Sequence, residues 1–332
     1  MQLSQEVRVD GLPKTRCLAV AIATPLTRDF HPDLPRLVAR MEALLAAGCD
    51  GITLFGTTGE GAEFSLEDRT KTLEAVIAAG IPAGRLVVSI GALSLPDVVA
   101  LASHATRQGV HGVLLMPPCV YRGGITEDAT FRYFAAVIDR VALSALRLYL
   151  YHFPDICGVP ITPQVVRRLD ERYPGMIAGV KDSGGDLDFT MDLLRRFSHL
   201  SIFTGSEIHL PELIAAGARG TICGLANVMP RLMRAMMDEA TAFDRRALLP
   251  LIFAGDAILS RRPFIPSAKA VVADWLDDAE WRRVIPPMPD IAMLERQHIV
   301  ADFRAWDAGL PEPWRSIAAV PTTTNVVDLK RA

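Results

Sequence analysis

From Cys17 to Cys223 short apolar runs alternate with stretches of helical periodicity, and three of the joints between them are near copies of one another. These joints are Ala47-Gly48-Cys49-Asp50-Gly51-Ile52, Gln108-Gly109-Val110-His111-Gly112-Val113 and Ala216-Gly217-Ala218-Arg219-Gly220-Thr221. The first glycine of each suits the left-handed residue that closes a helix, and the second opens the next strand. Runs starting at Cys17, Gly51, Leu86, Val113, Leu146, Ile177, Ser201 and Gly220 read as strands; the first is continuously apolar and the others largely so, as suits strands buried on both faces. Between them, Asp33 to Ala47, Leu66 to Ala79, Leu95 to Gln108, Glu127 to Arg140, Pro163 to Arg172, Leu187 to Phe197 and Glu207 to Ala216 have helical spacing. Ser65, with Asp68 three places on, reads as the cap of the second of these helices. Strict alternation with eight strand signals predicts an α/β protein of the (β/α)8 TIM-barrel type. An open doubly wound sheet is disfavoured, because no dinucleotide-binding glycine fingerprint follows the first strand.

Beyond Val228 only helical patterns remain: Arg231 to Ala242, Arg246 to Leu259, Ser267 to Trp275 and Asp290 to Trp306. They are expected to form the eighth helix and a C-terminal helical extension. The expected organisation is a lead-in over 1–16, the barrel over 17–242, the extension over 243–308 and a tail over 309–332. The net charge of -3 supplies no basic field for nucleic acid or an anionic membrane, so neither is an expected partner. Cys17, Cys49, Cys119, Cys157 and Cys223 are scattered without zinc-site spacing and read as thiols in a reducing compartment. With no apolar stretch of signal-peptide length at the N-terminus and none long enough to span a bilayer, a cytoplasmic location is expected.

Barrel enzymes build their sites just after the strands, so residues there carry the chemical argument. Met176-Ile177-Ala178-Gly179-Val180-Lys181 delivers a lysine to the end of an apolar strand, before a glycine-containing turn. Most lysines are surface cations, but a partly desolvated amine at a strand end is placed for attack on a carbonyl. After the second strand, Gly56-Thr57-Thr58-Gly59-Glu60-Gly61 offers amides and hydroxyls suited to a carboxylate, or else is a plain turn. Along Tyr149-Leu150-Tyr151-His152, alternation puts both tyrosines on one face; Tyr151 could reach Lys181 from the neighbouring strand and shuttle protons. The histidines form no metal-binding pair, so no metal is expected and metal-assisted chemistry is disfavoured.

Gly56-Thr57-Thr58-Gly59-Glu60, Tyr151 with Pro154, and Gly179-Val180-Lys181-Asp182-Ser183 resemble, in order and approximate spacing, the dihydrodipicolinate synthase/N-acetylneuraminate lyase family. The resemblance covers about Ala21 to Pro230 and implies a (β/α)8 barrel, usually a homotetramer, whose lysine forms a Schiff base with pyruvate or a 2-keto acid. It implies Lys181 as the imine residue, Tyr151 as proton relay and Thr57 as a hydroxyl in that relay. Thr58 and its neighbouring amides, Gly59 included, would hold the keto-acid carboxylate, and the backbone at Ile222 would line the pyruvate pocket. No cofactor beyond the covalent imine on Lys181 is implied.

Two departures bear on the second substrate. The synthases carry an arginine shortly after the Tyr-x-x-Pro proline, where this chain has Asp155-Ile156-Cys157, and a tyrosine pair after the fourth strand, where it reads Met116-Pro117-Pro118-Cys119-Val120-Tyr121. Without the guanidinium, aspartate semialdehyde loses a carboxylate partner, unless Arg122 reaches in from its loop. The lyase branch holds sugar hydroxyls near the seventh strand, where Gly205-Ser206-Glu207 could serve. The expected activity is therefore that of an aldolase or lyase acting on a 2-keto-3-deoxy sugar acid or a related hydroxylated 2-keto acid. The alternatives are 4-hydroxy-tetrahydrodipicolinate synthase and a catalytically silent keto-acid-binding relative.

Overall fold

Eight parallel strands close on themselves in sequence order in this computed structural model: β1 (Cys17–Ala21), β2 (Gly51–Leu54), β3 (Leu86–Ser89), β4 (Gly112–Leu115), β5 (Leu148–His152), β6 (Ile177–Asp182), β7 (Ser201–Thr204) and β8 (Gly220–Cys223). The structure describes residues 11–316 apart from Arg122, Pro160 and Ala240, and at Tyr121 and Ala242 it describes the backbone alone. Most of the lead-in, the tail from 317 on, Arg122 and the Tyr121 side chain thus lie outside the described residues. The barrel helices are α1 (Leu34–Ala46), α2 (Leu66–Ala78), α3 (Leu95–Arg107), α4 (Glu127–Val141), α5 (Pro154–Cys157), α6 (Pro163–Arg172), α7 (Leu187–Arg196), α8 (Leu210–Ala215) and α9 (Pro230–Asp238). Then come α10 (Ala242–Leu259), α11 (Phe264–Trp275) and α12 (Met293–Gly309). The fold is the (β/α)8 TIM barrel expected from the alternation, with C-terminal helices added.

The strand runs are apolar on both faces because both faces are buried. Cys17, Ala19 and Ala21 of β1 point inward with Val87, Leu114, Tyr149, Tyr151, Phe203 and Ile222, while Leu18 and Val20 join the larger core under the helices. Small side chains on β1 leave room for the big ones opposite, Tyr149 meeting Phe203 edge-on at 5.9 Å between ring centres. The repeated joints behave as read: Gly48, Gly109 and Gly217 are left-handed, at φ of 102°, 73° and 98°. Their second glycines have a tertiary reason. A Cβ at Gly51, Gly112 or Gly220 would come within 2.2 Å of the Leu12 side chain, 2.7 Å of the Tyr149 ring or 1.9 Å of the Cys17 carbonyl oxygen.

Several boundaries move. The eighth barrel helix ends at Asp238 rather than Ala242, and Thr241 caps the next helix by accepting from the Asp244 amide, so α10 starts at Ala242 rather than Arg246. Helix α8 starts at Leu210, with Pro211 in its first turn, rather than at Glu207. The tail expected from Gly309 on is packed at its start: Leu310 and Ser316 are buried, and the Ser316 hydroxyl donates to the Val228 carbonyl at 2.6 Å.

A fully buried charged pair helps tie the extension to the barrel. Lys269 of α11 is fully buried, and its ammonium donates to the carboxylate of Glu60, in the loop after β2, and to the Arg283 carbonyl at 2.7 Å. The other Glu60 oxygen accepts the Ile285 amide at 2.6 Å. No helix among the described residues is long and apolar enough to cross a membrane.

Candidate active site

Lys181 and Tyr151 meet because of an irregularity in the ladder between β5 and β6. Leu148 pairs with Ile177, but Tyr149 then pairs with Gly179, so Ala178 is skipped and Tyr151 lies beside Lys181. In a regular ladder Tyr151 would lie beside Val180, whose side chain points out to the helices. Facing inward together, Lys181 Nζ donates to the Tyr151 hydroxyl at 3.2 Å and stands 4.3 Å from the centre of its ring. Lys181 is 5% exposed and Tyr151 3%, so both are nearly dry.

The Thr57 hydroxyl is 3.5 Å from that of Tyr151, at the outer limit of a hydrogen bond. Burial pushes the Tyr151 phenol up, but the Lys181 charge and hydrogen bonds from Thr57, Lys181 and Ser183 outweigh it, and the phenol is held below its ordinary value. Ser183 is a partner to which the sequence assigned no role. Gly205 makes room for this group: a Cβ there would sit 2.1 Å from Ser183 Oγ and 3.1 Å from Lys181 Cε.

In the loop after β2 the amides of Gly59 and Gly61 donate to the Gly56 carbonyl, at 3.0 and 3.2 Å, and that of Glu60 to the Thr57 carbonyl. Gly59 therefore has its N–H committed within the loop. A Cβ on Gly59 would be 2.7 Å from the Ile22 carbonyl oxygen, so close packing against the end of β1 requires glycine there. Ile222 is buried in the barrel interior beside Ala19. Glu207 is half-buried, in the turn after β7. Burial above all, with the nearby Asp256 carboxylate, raises its carboxyl to about 7 against the opposing effects of the Cys223 thiol and the Lys181 charge.

A cavity of about 470 Å³ opens from Thr57 and Tyr151 outward. Its walls come from the loops after β2, β3 and β4, from Ile156, and from the extension through Ile265, Ile285 and Met288. Lys181 does not line it and meets it only through Tyr151, and Thr58, Gly59, Gly205, Glu207 and Ile222 do not line it either. Neither Lys nor Arg is found among its described lining residues, and Ile156 stands on the wall after the Tyr-x-x-Pro proline. The part played by the extension was not visible in the sequence, where Ile285 and Glu60 are separated by most of the chain. Among the described residues no three His, Cys, Asp or Glu side chains come together to hold a metal.

The profile of the dihydrodipicolinate synthetase family matches residues 14–249. An uncharacterized DapA-like lyase of Chloroflexus aurantiacus is 35% identical over 230 residues, 68% of this chain and 75% of its own. The 4-hydroxy-tetrahydrodipicolinate synthase 1 of Streptomyces coelicolor is 33% identical over 264 residues, 80% of this chain and 81% of its own. Among solved structures, dihydrodipicolinate synthase from Agrobacterium tumefaciens superposes with a TM-score of 0.80 at 30% identity, over 88% of this chain and 99% of that one. The KD(P)GA of T. tenax shares the fold, with a TM-score of 0.77 at 21% identity, over 88% of this chain and 99% of that one.

Proposed function

The chain belongs to the dihydrodipicolinate synthetase family of lyases, and on that premise we propose that it is a class I aldolase joining pyruvate to an aldehyde, or cleaving the adduct, through an imine on Lys181. The observation that carries this reading is the 3.2 Å contact between Lys181 Nζ and the Tyr151 hydroxyl, at the ends of neighbouring strands in a nearly dry site. The Lys181 amine adds to the pyruvate carbonyl carbon, the tetrahedral oxygen takes one proton from the amine nitrogen and a second by way of Tyr151 and leaves as water, and the protonated imine remains. Loss of a methyl proton gives the enamine, whose carbon attacks the aldehyde; Tyr151 returns a proton to the new alkoxide, and water then frees the product and Lys181. Thr57 passes protons between Tyr151 and solvent, and the Thr58 hydroxyl with the Thr57 and Thr58 amides holds the keto-acid carboxylate. The imine is the sole prosthetic chemistry this route requires, and by family resemblance the assembly is a cytoplasmic homotetramer.

Borohydride reduction in the presence of pyruvate, followed by peptide mass spectrometry, tests the route. The reduced adduct is expected on Lys181, and an active enzyme giving an adduct elsewhere, or none, rejects it. Tyr151→Phe keeps the ring that fills the barrel and is expected to retain the adduct while lowering kcat by about a hundredfold or more, as for loss of a positioned proton carrier. Steady-state kinetics on the folded variant measures this, and wild-type turnover would move the relay to another group.

The sequence favours a hydroxylated 2-keto acid as the second substrate. What supports it is the want of a guanidinium among the described cavity residues, which disfavours a partner with a far carboxylate. Its positive half, sugar hydroxyls held at Gly205 and Glu207, has less support, because neither residue lines the cavity. The presence of 4-hydroxy-tetrahydrodipicolinate synthases among its relatives supports the second reading, condensation with aspartate semialdehyde.

A further inference from the structure

The cavity that opens outward from Thr57 and Tyr151, beside Lys181, is apolar almost to its floor. Leu93, Met116, Ile156, Ile265, Ile285 and Met288 face it, together with prolines on two sides. Of its polar groups, Thr57 and Tyr151 form the floor and belong to the chemistry already described. Glu60 lines it too, but one carboxylate oxygen takes the Lys269 ammonium and the other the Ile285 amide. Glu63 is exposed at the rim, where its charge repels a second carboxylate. That leaves the Ser89 hydroxyl and the Cys119 thiol as side-chain partners for a polar substrate on the described walls.

From this lining we infer that the aldehyde taken by the enzyme carries an apolar tail of aryl or branched-alkyl kind, and is neither a polyol nor an amino acid semialdehyde. The inference rests on the proposed aldolase reading and, on the cavity lining, sets aside both second substrates weighed there, the sugar-derived aldehyde and aspartate semialdehyde. A polyol seated against these walls exchanges water for methyl and methylene groups at hydroxyl after hydroxyl, and each lost hydrogen bond counts against it. An apolar tail gains by the same move, since the walls and the tail leave water together. The volume of about 470 Å³ is on the scale of ordinary small-molecule sites and leaves room for a ring beyond the reacting carbon. Condensation forms one C–C bond between the enamine carbon and the aldehyde carbon. The alkoxide is protonated through Tyr151, and hydrolysis of the imine releases a 4-hydroxy-2-keto acid bearing the apolar group on C4; cleavage runs the same steps backward.

The test compares kcat/KM for pyruvate with benzaldehyde and isovaleraldehyde against D-glyceraldehyde and aspartate semialdehyde, alongside borohydride trapping by pyruvate alone. The expected result is the Lys181 adduct together with a preference of about a hundredfold for the apolar aldehydes, the scale on which an apolar pocket discriminates against added hydroxyls. Trapping on Lys181 with a polar aldehyde preferred overturns the inference and leaves the aldolase reading standing. An active enzyme with no adduct on Lys181 fails the aldolase reading, and the inference falls with it. Ile265→Asn, on the wall supplied by α11, is expected to lower the ratio of benzaldehyde to glyceraldehyde kcat/KM by at least about tenfold. An unchanged ratio would remove the tail from that wall and overturn the inference, whatever the absolute rates of the variant.

Discussion

Replacing Lys181 by alanine is expected to abolish the borohydride adduct and to lower kcat by at least about ten-thousandfold, the scale seen when the nucleophile of a covalent mechanism is removed. The rest of the site stays in place, since Tyr151 keeps Thr57 and Ser183 as partners. Folding should be little affected, because the substitution removes an ammonium from a position only 5% exposed. Lys181→Arg sharpens the result: a guanidinium keeps the positive charge beside the phenol but cannot give up a proton to become a nucleophile. Both variants should therefore be equally inactive. Substantial turnover in the arginine variant would mean that charge at this position, rather than an imine, drives the reaction.

The second large effect is on stability. Lys269→Met leaves the Glu60 carboxylate buried with the Ile285 amide as its remaining partner, and breaking a buried pair from one side costs about 3 to 5 kcal/mol. Chemical denaturation should show that loss. Adding Glu60→Gln removes the stranded charge while keeping an acceptor for Ile285, so the double variant should regain most of it. A single variant within about 1 kcal/mol of wild type would show that the pair is not what holds the extension to the barrel. Because Glu60 belongs to the same loop as Thr57 and Thr58, the single variant should also raise KM for pyruvate before it unfolds.

Much of the barrel is legible because its signals are local. Strand runs are apolar where both faces are buried, helix ends carry Ser65, Thr126 or Thr162 as side-chain caps, and Gly48, Gly109 and Gly217 mark helix exits that demand a left-handed residue. Errors cluster where distant residues decide. Leu310 and Ser316 look like a polar tail in sequence, yet Ser316 packs under Val228. Nothing near Lys269 announces a buried cation, because its carboxylate partner is 209 residues away.

By itself the sequence determined the eightfold alternation, the strand that ends near Lys181 and the motifs that resemble one family, since periodicity and turn chemistry act over a few residues of chain. Only the tertiary structure decided that Lys181 and Tyr151 meet. That contact depends on Ala178 being skipped in the ladder between β5 and β6, which turns Tyr151 toward Lys181 instead of Val180. Tertiary structure likewise decided the character of the cavity beside Tyr151, whose walls are drawn from segments after four strands and from α11 and the segment before α12. Each of those walls is unremarkable in its own stretch of sequence. Their shared apolar surface exists because closure of the barrel and docking of the extension bring them around one cavity.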